Sequence, residues 1–208
     1  MEAIRYDVVV VGGGPGGLAA AQGARLAGAA SVLVLERENR LGGILNQCVH
    51  DGFGLVRYRE ALTGLEYAQR AREEARSAGA DLMTGAMVTG LTRDRTLTAV
   101  TRRGLLTCRA GAVVLATGCR ERTRGAIAIP GTRPAGVYTA GTAQNLMNTK
   151  NLLVGRRVVV LGSGDIGLIM ARRMTLEGAK VLCVAEQRPA PGGLARNVRQ
   201  CLDDFGIP

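Results

Sequence analysis

Two glutamates, Glu36 and Glu186, each stand 19 residues after the last glycine of a glycine-rich turn, and each turn follows four apolar residues. The first copy reads Val8-Val9-Val10-Val11 and then Gly12-Gly13-Gly14-Pro15-Gly16-Gly17. The second, at an offset of 150 residues, reads Val158-Val159-Val160-Leu161 and then Gly162-Ser163-Gly164-Asp165-Ile166-Gly167. The agreement extends to Gly28-Ala29 with Gly178-Ala179, and to Gly42-Gly43 with Gly192-Gly193. A G-x-G-x-x-G turn between a strand and a helix can cradle a pyrophosphate. The first glycine permits the tight turn, the second lets the backbone approach the phosphates, and the third lets the helix pack on the strand. The helix start then offers unbonded N–H groups and the positive end of its dipole. A carboxylate about 20 residues further on accepts hydrogen bonds from an adenosine ribose. One such turn is weak evidence, and two structural βαβ units that bind nothing are the bland alternative. The complete fingerprint, twice and in register, favours two dinucleotide sites. Two dinucleotides on one chain suggest electron transfer between them.

The elements that must hold these turns can be read coarsely. Apolar runs without alternation are strands buried on both faces, as in a parallel sheet. Leu18 to Ala27 and Leu168 to Leu176, rich in Ala, Leu, Met and Arg, supply the helices. They stop near Gly28 and Gly178, and strands follow at Ser31 to Leu35 and Lys180 to Ala185. Thr63 and Glu66 have capping-box spacing and open a helix from about Gly64 to Ala78, closed by Gly79, with Arg–Glu pairs at i,i+3 or i,i+4. Leu82 to Leu91, Leu97 to Arg102 and Leu105 to Arg109 read as a β-meander, and Ala112 to Leu115 as a further buried strand ending in Ala116-Thr117-Gly118. Arg120 to Asn151, with Pro130-Gly131 and Pro134, reads as a connection, and Arg196 to Asp204 as a last helix. Phe205-Gly206-Ile207-Pro208 then reads as the approach to another strand.

The first turn, with Leu41-Gly42-Gly43 and the Ala116-Thr117-Gly118 strand end, resembles the N-terminal FAD site of the two-dinucleotide flavoproteins, the glutathione-reductase-like pyridine nucleotide–disulphide oxidoreductases. The resemblance implies an α/β fold of two Rossmann-like βαβ dinucleotide-binding domains, with the meander crossing one face of the FAD sheet. Residues 1–122 would be the N-terminal part of the FAD-binding domain, 123–154 the inter-domain connection, and 155–208 an incomplete NAD(P)-binding domain. FAD would be held by Gly12, Gly14, Pro15, Gly16, Gly17, Glu36 and Arg37, with Val88 by the adenine. Gly42, Gly43, Ala116, Thr117 and Gly118 would lie nearer the flavin. Gly162, Gly164, Asp165, Ile166, Gly167 and Glu186 would hold NAD(P). A carboxylate at Glu186 repels a 2′-phosphate, so NAD(H) is expected over NADP(H), although Arg188 offers such a phosphate a partner. Asp165 is an awkward neighbour for a pyrophosphate but is able to cap the following helix. Ile129-Pro130-Gly131 and Gly136-Val137-Tyr138-Thr139-Ala140 resemble the linker of relatives.

The implied activity is hydride transfer between NAD(P)H and FAD, with electrons passed to an unidentified acceptor or taken from a small-molecule substrate. Disulphide reductases of this superfamily carry two cysteines spaced C-x-x-x-x-C after Leu-Gly-Gly. Here that segment, Gly42-Gly43-Ile44-Leu45-Asn46-Gln47-Cys48-Val49-His50-Asp51-Gly52, holds one cysteine, and no C-x-x-C occurs. Its wording resembles a subgroup related to opine, sarcosine and hydroxyproline oxidising subunits. Cys48 and His50 are then weak catalytic candidates, either tuning the flavin or handling a substrate proton, or else a packed thiol and a hydrogen-bonded loop imidazole. The alternatives are a disulphide reductase whose redox thiols lie partly in a missing half, and an inert nucleotide-binding or assembly fragment.

The chain has 208 residues and a net charge of +10, yet no Trp and two Phe, and it shows no aromatic-plus-basic stacking motif for nucleic acid. Lysine occurs only at 150 and 180. Five cysteines without metal-ligand spacing read as reduced thiols of a cytoplasmic protein that binds no metal. No signal peptide or membrane-spanning stretch is visible. The second sheet needs more strands, so about half of a larger protein is expected. Its exposed strand edges call for a missing half, a complementary subunit or self-association.

Overall fold

Runs of Val and Leu lacking polar alternation need cover on both faces, and in the first of two structural units they find it. The computed structural model describes residues 3–208. One unit ends at Cys119 and the other spans Arg120–Pro208. In the first, strands β1 (Ile4–Val11), β2 (Val32–Leu35) and β3 (Asp81–Met83) lie parallel beside the C-terminal part of β6 (Gly104–Leu115), in the order β3-β2-β1-β6. Helices α1 (Pro15–Leu26) and α2 (Gly64–Ser77) pack on one face through Leu18, Ala21, Ala71 and Ala75 against Val10, Val32 and Val34. On the other face, Val9, Leu33 and Leu35 meet Ala86, Leu97 and Ala99 of β4 (Ala86–Leu91) and β5 (Thr96–Thr101). All four residues of β2 are buried as a result.

The meander forms, with different boundaries from those expected. The stretch Leu82 to Leu91 divides, because Asp81–Met83 pairs with β2 while Ala86–Leu91 pairs antiparallel with β5. Conversely, Leu105–Arg109 and Ala112–Leu115 are one strand, β6. It pairs with β5 over residues 104–109 and with β1 over 108–115. The expectation that Ala112–Leu115 is buried fails: Ala112 is exposed and Leu115 is 64 % exposed. Beyond Arg109 no described strand pairs with the free edge of β6.

Helix α2 starts where the capping box predicts. The Glu66 N–H donates to Thr63 Oγ1 (3.3 Å), and the Thr63 N–H donates to Glu66 Oε2 (2.8 Å). Its close salt bridges run off the helix, Arg57 to Glu74 (2.5 Å) and Arg70 to Glu60 (2.7 Å), while within the helix Arg70 still helps to lower the pKa of Glu66, four residues before it. Arg25 ties the ends of both helices together, donating to Ala78 O (3.0 Å) and Ala29 O (2.6 Å).

In the second unit β7 (Arg157–Leu161) and β8 (Lys180–Ala185) form a two-stranded parallel sheet, with α4 (Asp165–Leu176) between them in sequence. The stretch read as a connection contains a helix, α3 (Ala140–Lys150), whose Ala143 and Met147 join Leu168, Met170 and Met174 in one core. Its first turn is capped by Glu121, which accepts from the N–H groups of Gly141 (2.8 Å) and Thr142 (3.0 Å). Burial of β7 alternates, contrary to expectation. Val158 and Val160 pack on the core, while Val159 is 57 % and Leu161 70 % exposed, because no described element covers that face. After α5 (Ala195–Cys201) the chain returns to the sheet, and the Val184 N–H donates to Pro208 O (2.7 Å), the pairing expected of an approaching strand.

Candidate functional site: two glycine turns with carboxylates

Each unit builds its turn in the same way. Gly12 and Gly162 leave their strands at φ +107° and +98°, a region that side chains rarely adopt. Their N–H groups donate to Leu35 O (2.9 Å) and Ala185 O (2.7 Å), the last residues of β2 and β8. A Cβ on Gly17 would stand 1.9 Å from Gly12 O, and one on Gly167 2.5 Å from Gly162 O, so the third glycine is required by helix–turn contact. The middle glycines face space. A Cβ on Gly14 would find its nearest neighbour at 3.9 Å, and one on Gly164 nothing within 4 Å. Neither α1 nor α4 has a side-chain cap on its first turn. Open room in front of uncapped N–H groups fits a pyrophosphate.

The glutamates stand against these turns. Glu36 is buried; Oε2 accepts from the Gly13 N–H (2.7 Å) and Oε1 from the Glu38 N–H (2.8 Å). That leaves one acceptor position on each oxygen. Glu186 is held more completely. Its Oε2 accepts from the Ser163 N–H (3.0 Å) and the Ser163 hydroxyl, and its Oε1 from the Gln187 (2.8 Å) and Arg188 (3.1 Å) N–H groups. The Ser163 hydroxyl, then the N–H groups of Arg188 and Ser163, hold the carboxyl down to about 2. Ser163 Oγ also accepts from the Gly192 N–H (2.8 Å). Sequence reasoning passed over Ser163; the signal was its position, the counterpart of Gly13.

Around the first turn the structure gathers most of the residues singled out above. The Gly42 N–H donates to Gly13 O (2.8 Å), and a Cβ on Gly43 would lie 2.9 Å from Gly14 Cα. The Ala116 N–H donates to Val11 O (2.8 Å), which lays Ala116-Thr117-Gly118 along Gly12. Arg37 instead points to Glu38 (3.4 Å) on the surface. Val88 packs in the core between meander and sheet. At the second turn Ile166 is exposed. Asp165 turns away from the space before α4 and accepts from the Leu194 N–H (2.8 Å) and the Asn197 amide (2.8 Å), which lowers its pKa. It anchors α5 and leaves its own helix uncapped.

Cys48 is buried, with Sγ 3.4 Å from Ile44 O, and burial pushes its thiol pKa up, away from the thiolate. The Gly64 N–H donates to Cys48 O (2.9 Å), so this segment supports the start of α2. His50 lies against Phe53 with the rings tilted at 43° and their centroids 5.3 Å apart, its Nδ1 has no partner, and burial lowers its pKa. All five cysteines are free. Among the described residues no metal-binding cluster occurs, and no helix is long and apolar enough to cross a membrane.

Comparison with known proteins agrees with this geometry. A family model described as pyridine nucleotide-disulphide oxidoreductase matches residues 6–205. An opine oxidase subunit from Agrobacterium tumefaciens (strain Ach5) is 32% identical over 210 residues, which is 95% of this chain and 40% of that protein. The alpha subunit of sarcosine oxidase from Rhizobium meliloti (strain 1021) is 28% identical over 216 residues, 94% of this chain and 21% of that one. The chain therefore spans less than half the length of these relatives. Among solved structures, L-proline dehydrogenase from P. horikoshii superposes with a TM-score of 0.66 at 22% identity, over 90% of this chain and 37% of that one, a likeness of fold.

Proposed function

Since the chain belongs to the pyridine nucleotide-disulphide oxidoreductase family, we propose that it carries the FAD site and the NAD(H) site of a hydride-transferring oxidoreductase completed by further protein. One observation carries the reading: both units repeat the same turn, carboxylate and uncapped helix start, down to the donor on each glutamate. Gly12, Gly14, Pro15, Gly16 and Gly17 would hold the FAD pyrophosphate, with Glu36 taking its ribose and Arg37 and Val88 outside them toward the adenosine. Gly42, Gly43, Ala116, Thr117 and Gly118 would line the way to the flavin. Gly162, Gly164, Ile166, Gly167 and Glu186 would hold NAD(H), with Asp165 steadying the turn through α5. Bound together, flavin and nicotinamide supply the hydride chemistry, and these residues supply position and electrostatics. NAD(H) is favoured over NADP(H) because the ionised Glu186 repels a 2′-phosphate. Two relatives are named as subunits, which supports a complementary chain or segment, with the substrate or redox partner engaged by the complete assembly.

The test is the visible spectrum of the protein reconstituted with FAD, alone and with its completing partner, before and after NADH without oxygen. Flavin bands that bleach with NADH support both sites. Protein that takes up no FAD in either form overturns the reading.

A further inference from the structure

At the end of β1 remote from the glycine turn, about 23 Å away at about 3.3 Å per residue, the first unit has an open depression of about 470 Å³. Three arginines line it: Arg5, Arg95 and Arg109. Arg5 and Arg109 are register partners on neighbouring parallel strands. Their Cα atoms are thus about 4.8 Å apart with side chains on one face. Like charges opposed across a sheet repel, and Arg95 adds a third. It sits on the β4–β5 turn at φ +61°, and its carbonyl accepts from the Ala110 N–H (3.0 Å). No described carboxylate comes within ion-pair distance of any of the three. Two acids lie nearby: Asp7, which also lines the depression, accepts from the Ser31 N–H (2.9 Å), and Asp94, whose pKa Arg109 helps to lower, takes the hydroxyls of Thr92 (2.5 Å) and Thr96 (2.7 Å). Ser31 Oγ accepts from the Asp7 N–H (2.9 Å), and its own proton is left to donate.

We propose that this depression binds a phosphate-bearing small molecule, held by the Arg5, Arg95 and Arg109 guanidiniums with the Ser31 hydroxyl. Three positive charges line one depression, and the Asp7 carboxylate that also lines it can balance only one of them. A phosphoryl group brings nearly two charges and three acceptor oxygens, which suit the forked donors of arginine. The depression shares no residue with either glycine turn, so it stands whether or not these bind cofactor.

The experiment is titration of the ¹⁵N-labelled protein with inorganic pyrophosphate at constant ionic strength, with triglutamate as a second probe. The expected result is saturable shifts at Tyr6, Ser31, Ala110 and Gly111 with pyrophosphate, weakened at least tenfold in Arg109→Gln and in Arg95→Gln. Arg95→Gln lies on a surface turn and serves if Arg109→Gln does not fold. Shifts confined to Gly12–Gly17 or Gly162–Gly167 would overturn the assignment. So would tighter binding of triglutamate, or diffuse shifts over all arginines that both variants retain.

Discussion

At the scale of single residues, Ser163 distinguishes the two turns. Glu36 keeps one acceptor position free on each oxygen, whereas all four on Glu186 are occupied, two of them by Ser163. A ribose diol reaching Glu186 must displace the Ser163 hydroxyl. Ser163→Gly, which copies Gly13, is therefore expected to tighten NADH binding about fivefold, the worth of one net hydrogen bond. A fluorescence titration giving an unchanged or weaker Kd would refute this. The glycines themselves were legible in the sequence, since their need is steric and local: Gly17 against Gly12, five positions away. Ser163 was legible only in its position opposite Gly13, since the Gly192 N–H that it accepts from comes 29 residues further on.

Among the elements, carboxylates secure three helix starts: Glu66 on α2, Glu121 on α3 and Asp165 at the start of α5. Hydrogen bonds from Thr63 lower the Glu66 pKa, and those from Leu194 and Asn197 lower that of Asp165. For Glu121 burial opposes the charge, but the Thr139 hydroxyl and the Gly141 and Thr142 N–H groups outweigh it. A folded-state pKa below the unfolded one gives stability that is complete above the unfolded value, near 4, and lost as pH falls through the folded value. The contribution of these three carboxylates to the melting temperature is thus expected to hold above about pH 5 and to drop steadily below it. Glu121→Gln should melt lower at pH 7 and show a shallower acid limb; parallel curves for the two proteins would exclude the cap. The α2 cap was readable because Thr63 and Glu66 are three residues apart. Helix α3 was missed because its cap comes from 20 residues before Gly141, and Pro130 and Pro134 drew the reading toward a loop. The strand boundaries of the meander were misjudged for a related reason. Neither hydropathy nor turn residues mark the point where β6 exchanges β5 for β1 as its partner.

For the molecule as a whole, the two units are joined through a stretch, residues 120–138, that is largely exposed and carries Arg120, Arg122, Arg124 and Arg133. Brief trypsin treatment is expected to cut there first, leaving an N-terminal fragment that ends between Arg120 and Arg133. Mass spectrometry finding an earlier cut at Arg57 or Arg59 would show the loop before α2 to be the weaker point. The duplicated turns made the two-unit plan legible from sequence. The open faces at Leu115, Val159 and Leu161 were harder to foresee, since a hydrophobic run looks the same whether or not something covers it. The double pairing of β6 also has a kinetic consequence. Its hairpin with β5 closes over a few residues, but its pairing with β1 joins Ile4 to Cys108 across the whole unit. Local contacts form first, and long-range parallel pairing carries the entropy of a large loop. During synthesis β1 therefore leaves the ribosome first yet is expected to complete its pairing last, after the meander that begins at Ala86 has closed.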